Sequence, residues 1–172
     1  CEENQKIAFS VNRDGASNLA HIAKKLDTPL VHISTDYVFD GKKEGPYLEM
    51  DMPNPPSIYG KSKLEGEREI QNIGGKYFIV RIAWLYGHDG NNFVKTILKH
   101  GENLAKENKV LKVVHDQRGT PTYTADVAKQ LLRLLETDYY GIYHCTNEGA
   151  CTWYEFTKKI MSNFHIDVKV AP

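Results

Sequence analysis

Apolar residues in the first part of the chain recur with the period of a helix. Val11, Ala16, Leu19, Ala20, Ala23 and Leu26 fall at near three-and-four spacing, so residues 9–26 are predicted to form an amphipathic helix, ended by Asp27-Thr28-Pro29. The pattern then changes. Leu30-Val31-His32-Ile33 is a short, mostly apolar run of the kind found in strands covered on both faces, with Ser34-Thr35-Asp36 at its carboxyl end. Residues 37–57 are polar and rich in Pro and Gly, which predicts a surface loop. A loop of that length inside a domain is functional or disordered. Residues 58–73 read as the next helix, with Gly74-Gly75 as its stop. Residues 77–83 form a second apolar strand that ends in Trp84-Leu85-Tyr86-Gly87.

The second half alternates in the same way. Phe93, Ile97, Leu98 and Leu104 continue a helical pattern that Gly101 should break or weaken, and residues 110–114 read as a third strand. Thr124 is placed to cap a helix over 125–136, and residues 142–144 make a short fourth strand. Thr152 and Glu155 form a T-x-x-E capping box that opens a helix to about residue 164. Strands separated by helices imply a parallel sheet with helices on its faces, because right-handed crossovers need connections of that length. The fold class is therefore α/β. Ligands of such sheets gather beyond the carboxyl ends of the strands, which directs attention to Ser34-Thr35-Asp36 and to Trp84-Leu85-Tyr86-Gly87.

Composition removes several function classes. The 172 residues hold 22 Lys plus Arg against 22 Asp plus Glu, with no basic stripe, so neither nucleic acid nor an anionic membrane is an expected partner. No run approaches the roughly 18 apolar residues of a membrane span, and the opening Cys1-Glu2-Glu3-Asn4 lacks the apolar core of a secretory signal. Cys1, Cys145 and Cys151 include no C-x-x-C pair, which suits a reducing compartment, so a cytoplasmic location is expected. The seven histidines are dispersed without ligand spacing, and no zinc site is expected.

The sharpest chemical constellation is Tyr59-Gly60-Lys61-Ser62-Lys63 near a helix start, where Tyr59 and Lys63 are four apart and share a face. A nearby ammonium stabilises a phenolate and lowers the pKa of a group that otherwise titrates near ~10, so Lys63 is expected to tune Tyr59 for general acid-base catalysis. Spacing alone is weak support. With 10 Tyr and 17 Lys, chance supplies about one such pair, and a second copy exists at Tyr154 and Lys158, which reads as core or rim. Only Tyr59 follows a strand that ends in a hydroxyl and a carboxylate, Thr35 and Asp36. A hydroxyl there can hold the substrate oxygen that the phenol protonates.

Other residues invite weaker readings. Arg81 inside an apolar strand needs an acidic partner or a substrate phosphate. His144, Cys145 and Asp138 suggest a nucleophilic triad, but neighbours in a strand project to opposite faces. Asp116-Gln117 offers one carboxylate, short of a metal cage, and reads as a loop hydrogen-bonded with Arg118 and Thr120.

Four motifs in order carry a resemblance. Ser34-Thr35-Asp36-Tyr37-Val38-Phe39-Asp40-Gly41 comes first, then Tyr59-Gly60-Lys61-Ser62-Lys63 with Gly66-Glu67. Arg81-Ile82-Ala83-Trp84-Leu85-Tyr86-Gly87 and Asp116-Gln117-x-Gly119-x-Pro121-Thr122 follow. With Val11-Asn12, Asn18-Leu19-Ala20 and Gly141-Ile142-Tyr143-His144, the chain closely resembles the dTDP-4-dehydrorhamnose reductases, a family of extended short-chain dehydrogenase/reductases.

The resemblance implies a Rossmann-like doubly wound parallel sheet with a small C-terminal substrate-binding portion. It divides the chain into residues 1–114, the C-terminal half of the dinucleotide-binding and catalytic domain, and residues 115–172, a substrate-binding portion mixed with that core. It implies NADPH or NADH delivering hydride to the C4 carbonyl of a dTDP-linked 4-keto sugar in surface-polysaccharide biosynthesis. Tyr59 would supply the proton, Lys63 would tune Tyr59 and hydrogen-bond the nicotinamide ribose, and Thr35 would orient the carbonyl. Asp36, Tyr37 and Trp84 would line the sugar site, the flat indole meeting the apolar face of a deoxysugar. The cofactor would pass the backbone at Ile82 and Ala83. Family members include metal-bridged dimers, so a homodimer and magnesium are both admitted, although no magnesium site is evident in the sequence.

The family's glycine-rich turn, G-x-x-G-x-x-G or G-x-G-x-x-G, does not occur. By the resemblance the chain starts after four strands and stops before the usual C-terminal segment. It is expected to be a piece of a longer reductase, with the strand over 30–33 left at an open sheet edge. Two rivals stand beside reduction: a non-catalytic regulatory subunit on the same scaffold, and epimerisation or dehydration of a nucleotide sugar. Intact Tyr59, Lys63 and Thr35 argue against the first. Dehydration recruits an extra acid-base pair, and Tyr37 occupies the place after Asp36, which argues against the second.

Overall fold

The first amphipathic segment begins earlier than its apolar period suggests. In the computed structural model, which describes residues 1–172, α1 (Gln5–Phe9) passes through a π-helical stretch (Ser10–Asp14) into α2 (Gly15–Lys25). Only the alanines of the expected apolar set are buried. Ala8, Ala16, Ala20 and Ala23 are buried, whereas Val11, Leu19 and Leu26 are 66%, 56% and 68% exposed. Small residues win because this helix lies backbone-close to the next: a Cβ at Gly66 would stand 2.2 Å from the Asn12 carbonyl oxygen. Larger side chains on that face would push the helices apart.

β1 (Leu30–Thr35) follows, then a short helical turn (Asp36–Val38), the loop 39–57, and α3 (Ile58–Ile73), with the bounds its sequence predicts. Gly74, at φ +71°, closes α3 in a conformation that favours glycine. The loop is organised rather than loose. Phe39 and Tyr47 stack at 4.2 Å, and Asp40 accepts from the Tyr47 hydroxyl at 2.8 Å and from Asn54 at 3.0 Å. β2 (Tyr77–Ile82) lies parallel to β1, with Phe78, Ile79 and Val80 fully buried, which explains an apolar run without alternation.

The chain then enters a second compact unit, formed by Ala83–Ala128 and Thr146–Pro172. It holds β3 (Leu85–Tyr86), α4 (Phe93–Lys106), β4 (Leu111–Lys112), β5 (Arg118–Gly119) and β6 (Thr122–Tyr123). Gly101 does not break α4. It is buried, and a Cβ there would meet the Met161 sulfur at 2.6 Å, so this glycine serves close packing. α5 (Thr124–Leu135) leads back to the first unit, where β7 (Gly141–His144) lies parallel to β2. β8 (Cys151–Thr152), α6 (Trp153–Asn163) and β9 (Val170–Ala171) complete the second unit. α6 opens with the expected capping box: Glu155 N–H donates to the Thr152 hydroxyl at 3.1 Å, and Thr152 N–H to the Glu155 carboxylate at 2.7 Å.

The first unit, Cys1–Ile82 with Lys129–Cys145, thus contains a parallel sheet of order β1-β2-β7 with β1 at its edge, packed on α2 and α3 through Ala16, Ala20, Ile70 and Ile79. This is the α/β class expected. The strand read over 110–114 is not part of that sheet. Only Leu111–Lys112 is paired with β9 as a strand, because Val110 and Val114 are exposed and only Leu111 and Val113 pack on the cluster of Ile160 and Met161. The chain crosses between units after residues 82, 128 and 145, where the sequence reading drew a single cut after 114. No helix is long and apolar enough to cross a membrane.

Candidate active site

Backbone hydrogen bonding fixes the end of β1. Thr35 is extended, and its hydroxyl accepts from the Tyr37 N–H at 3.2 Å, which starts the Asp36–Val38 turn. The same hydroxyl donates to the Asp36 carboxylate at 3.2 Å. Burial raises the pKa of Asp36, partly opposed by the Thr35 hydroxyl and by the backbone amides of Asp36 and Tyr37.

Tyr59 is the second residue of α3, and the helix start around it is fully capped. Ile58 and Tyr59 donate their N–H groups to the Glu2 carboxylate at 3.0 and 3.1 Å, and Gly60 donates to the Ser57 hydroxyl at 3.0 Å. Glycine at 60 brings this helix start against the preceding turn, since a Cβ there would fall 2.1 Å from the Tyr37 carbonyl oxygen. As a result the Tyr59 and Tyr37 rings meet edge-to-face at 5.9 Å. The structure therefore brings Thr35, Asp36, Tyr37 and Tyr59 together.

Burial raises the pKa of the Tyr59 phenol, a hydrogen bond with Thr35 lowers it, and the charges of Asp36 and Tyr37 raise it further. This reverses the direction expected from the Tyr59–Lys63 spacing. The reason is where the ammonium goes: Lys63 Nζ donates to the Ile33 carbonyl at 2.6 Å and lies 3.3 Å from His32 Nε2. Burial also lowers the pKa of Lys63, with Glu67 opposing. His32 is pushed from 6.5 to about 4 by burial and then by Lys63, so it is a neutral ring at ordinary pH.

Ile82 lies in register opposite Thr35, and Ala83 follows it, buried. Trp84 belongs to the second unit. Its indole stacks on Trp153 at 3.5 Å with 9° between planes, and a Cβ at Gly119 would lie 2.3 Å from it. One face of the indole that sequence reasoning assigned to a sugar site is thus in contact with another indole. Trp153 was legible only as the first residue of the capped helix. Lys158 covers the Tyr154 ring at 5.3 Å, a local cation–π contact in the second unit. The residues of the weak triad are engaged elsewhere: Asp138 accepts from the Tyr140 hydroxyl at 2.7 Å, burial raises the Cys145 thiol, and His144 packs on Phe39 at 5.6 Å.

Arg81 finds the acidic partner that its apolar strand demanded. Its Nη2 lies 2.6 Å from Glu67 Oε2 and its Nε 3.0 Å from Glu67 Oε1, with Glu67 0% and Arg81 3% exposed. Ser34 also donates to Glu67 Oε1. Sequence reasoning gave no individual role to Glu67, Ser34, His32, Gly60 or Glu2. Of these, Ser34, Gly60 and Glu67 stood inside the motifs that carry the resemblance, and the charge at Arg81 was the one signal for a partner, a carboxylate or a phosphate.

Comparison with known proteins bears on the whole chain. The RmlD substrate binding domain family matches residues 1–172. A dTDP-4-dehydrorhamnose reductase of Aggregatibacter actinomycetemcomitans is 46% identical over 155 residues, covering 87% of this chain and 51% of that protein. Among solved structures, a dTDP-4-dehydrorhamnose reductase from Clostridium acetobutylicum is 50% identical with a TM-score of 0.93, covering 100% of this chain and 60% of that one. The Bacillus anthracis str. Ames enzyme of that name, solved in complex with NADP, is 45% identical with a TM-score of 0.93, covering 99% and 59%. The chain spans about half the length of the curated relatives it matches. On this match and the α/β fold that presents Thr35, Tyr59 and Lys63, the chain belongs to the RmlD substrate binding domain family.

Proposed function

We propose that this chain supplies the proton-donating and sugar-orienting part of a reductase that converts the 4-keto group of a dTDP-linked sugar to a hydroxyl, as in dTDP-4-dehydro-L-rhamnose to dTDP-L-rhamnose. One observation supports this most: a phenol 36% exposed, Tyr59, hydrogen-bonded to Thr35 at the carboxyl end of a parallel strand, with Lys63 one helical turn further along. A raised phenol pKa suits reduction, because the residue must carry its proton at neutral pH to donate it. Thr35 holds the ketone oxygen near that proton, and Asp36 and Tyr37 face the sugar. The Trp84 indole, stacked on Trp153, shapes the second unit.

A reduced nicotinamide cofactor, when bound, supplies the hydride. The donor set fits its nicotinamide end: Tyr59 and Lys63 share one helix face, and the backbone at Ile82 and Ala83 continues the strand beside Thr35. The relative solved with NADP favours NADPH over NADH. The three free cysteines suit a cytoplasmic enzyme.

The test uses the full-length protein. With dTDP-4-dehydro-L-rhamnose it should oxidise NADPH, faster than NADH, and yield dTDP-L-rhamnose. No sugar-dependent NADPH or NADH oxidation, or release of an epimerised or dehydrated sugar without cofactor consumption, would overturn the reading.

A further inference from the structure

The buried ion pair asks for a purpose that stability does not supply. Glu67 and Arg81 are removed from water, Glu67 one turn before the buried Ile70 on α3 and Arg81 two residues after the buried Ile79 on β2. Desolvating two charges offsets most of what their attraction returns, and apolar residues of similar volume at such places are often as stable or more so. An apolar pair lacks direction, however. Here both carboxylate oxygens accept from Arg81, Oε1 also accepts from Ser34, and the guanidinium lies 5.1 Å from the Phe39 ring.

The position of this cluster gives direction a use. Tyr59, Lys63 and Glu67 succeed one another at four-residue steps along one face of α3. His32 and Ser34 are two apart on β1, so they share a face of the sheet. Lys63 meets His32 and the Ile33 carbonyl, and Glu67 meets Ser34, which makes two successive rungs between helix and strand. Ser34 and Arg81 are register partners on β1 and β2, so Glu67 is gripped by two neighbouring strands at once. Thr35 is the next residue after Ser34. A rotation of α3, or a slide along β1, would break these bonds and move Tyr59 and Lys63 relative to Thr35.

We infer that Glu67, held by Arg81 and Ser34, is the positioning residue of the proposed active site, and that this buried pair sets the rotation and axial place of α3 on β1. The inference rests on the reductase reading and adds to it residues that touch neither sugar nor cofactor. The geometry extends to the loop as well. Arg81 Nη1 lies 3.5 Å from the Glu49 carbonyl oxygen, and the Glu49 carboxylate accepts from the His144 N–H at 3.0 Å, so the same hub holds the segment that precedes Tyr59.

The test compares full-length wild type with Ser34→Ala and with the double variant Glu67→Met/Arg81→Met, reading thermal midpoint, kcat, KM for the sugar, and the spectroscopic titration of Tyr59 without cofactor. In the double variant the melting temperature should stay near that of wild type while kcat falls at least about tenfold, within the loss that a small misplacement produces. KM should hold within about twofold, since the groups that bind the sugar remain. Ser34→Ala, which removes one bond and little volume, should lower kcat about threefold to tenfold with KM kept, the mark of a contact that matters for orientation. In both, the Tyr59 midpoint should move toward its ordinary 10 as the phenol loses its packed setting. If the double variant fails to fold, Ser34→Ala decides alone. Full kcat in a stably folded double variant or in Ser34→Ala, with the titration unmoved, would overturn the inference while leaving the reductase reading intact. An inactive wild type would overturn both.

Discussion

Single residues in this chain are best understood from what meets them across the sheet. His32 looks in sequence like one more member of an apolar strand, yet its ring lies 3.3 Å from the Lys63 ammonium and is held neutral, with its pKa lowered from 6.5 to about 4. The sign of the consequence follows from linkage. An unfolded chain takes up a proton on this histidine near 6.5, whereas the folded one refuses it until about 4. Stability from His32 is therefore fully present above 6.5 and is lost as pH falls through the window from 6.5 to about 4. The gap corresponds to roughly 3 kcal/mol. Urea unfolding of wild type and His32→Gln at about pH 7 and about pH 4.5 should show the wild type losing more stability on acidification, by a part of that amount. Parallel losses in the two proteins would contradict the buried, neutral assignment. Nothing in the local pattern disclosed this, since Lys63 is 31 residues away and its approach depends on how α3 lies on β1.

At the scale of elements, α3 shows why a helix can be predicted in extent but not in placement. Its bounds and its glycine stop were legible from the sequence over 58–73 and from Gly74-Gly75, whereas the Ser57 cap was not read. Its closeness to the Asp36–Val38 turn was not, because that depends on Gly60 admitting the Tyr37 carbonyl. Gly60→Ala tests this. Alanine favours a helix by about 1 kcal/mol over glycine, but its methyl carbon would sit 2.1 Å from a backbone oxygen that cannot turn aside. Overpacking should prevail, with a net destabilisation of about 1–3 kcal/mol by denaturant unfolding and a fall in turnover of the full-length enzyme. A variant as stable and as active as wild type would show that the contact is not tight. The other elements divide in the same way. The capping box of α6 and the apolar strand β2 are local and were legible. That Ala16 packs beside Gly66 while Leu19 and Leu26 stay exposed, and that α4 runs intact through Gly101, depends on close packing against distant residues, which a period does not reveal.

For the molecule as a whole, the candidate site was legible in its parts and not in its electrostatics. Order along the chain pointed to Thr35, Tyr59 and Lys63, and the first unit gathers them at one end of its sheet. What spacing could not reveal is that burial would raise the phenol while Lys63 turns to Ile33 and His32, or that a buried pair, Glu67 and Arg81, would stand behind the site. These depend on which strands are neighbours, a property of the folded unit alone. The account's central claim is that Tyr59 delivers the proton. The direct measurement is kcat for sugar-dependent NADPH oxidation by full-length Tyr59→Phe, with Tyr154→Phe as control. A loss of at least about a hundredfold is expected, the scale of a positioned proton donor, with sugar binding kept and the control unchanged. Turnover within about threefold of wild type, far short of that loss, would contradict the account.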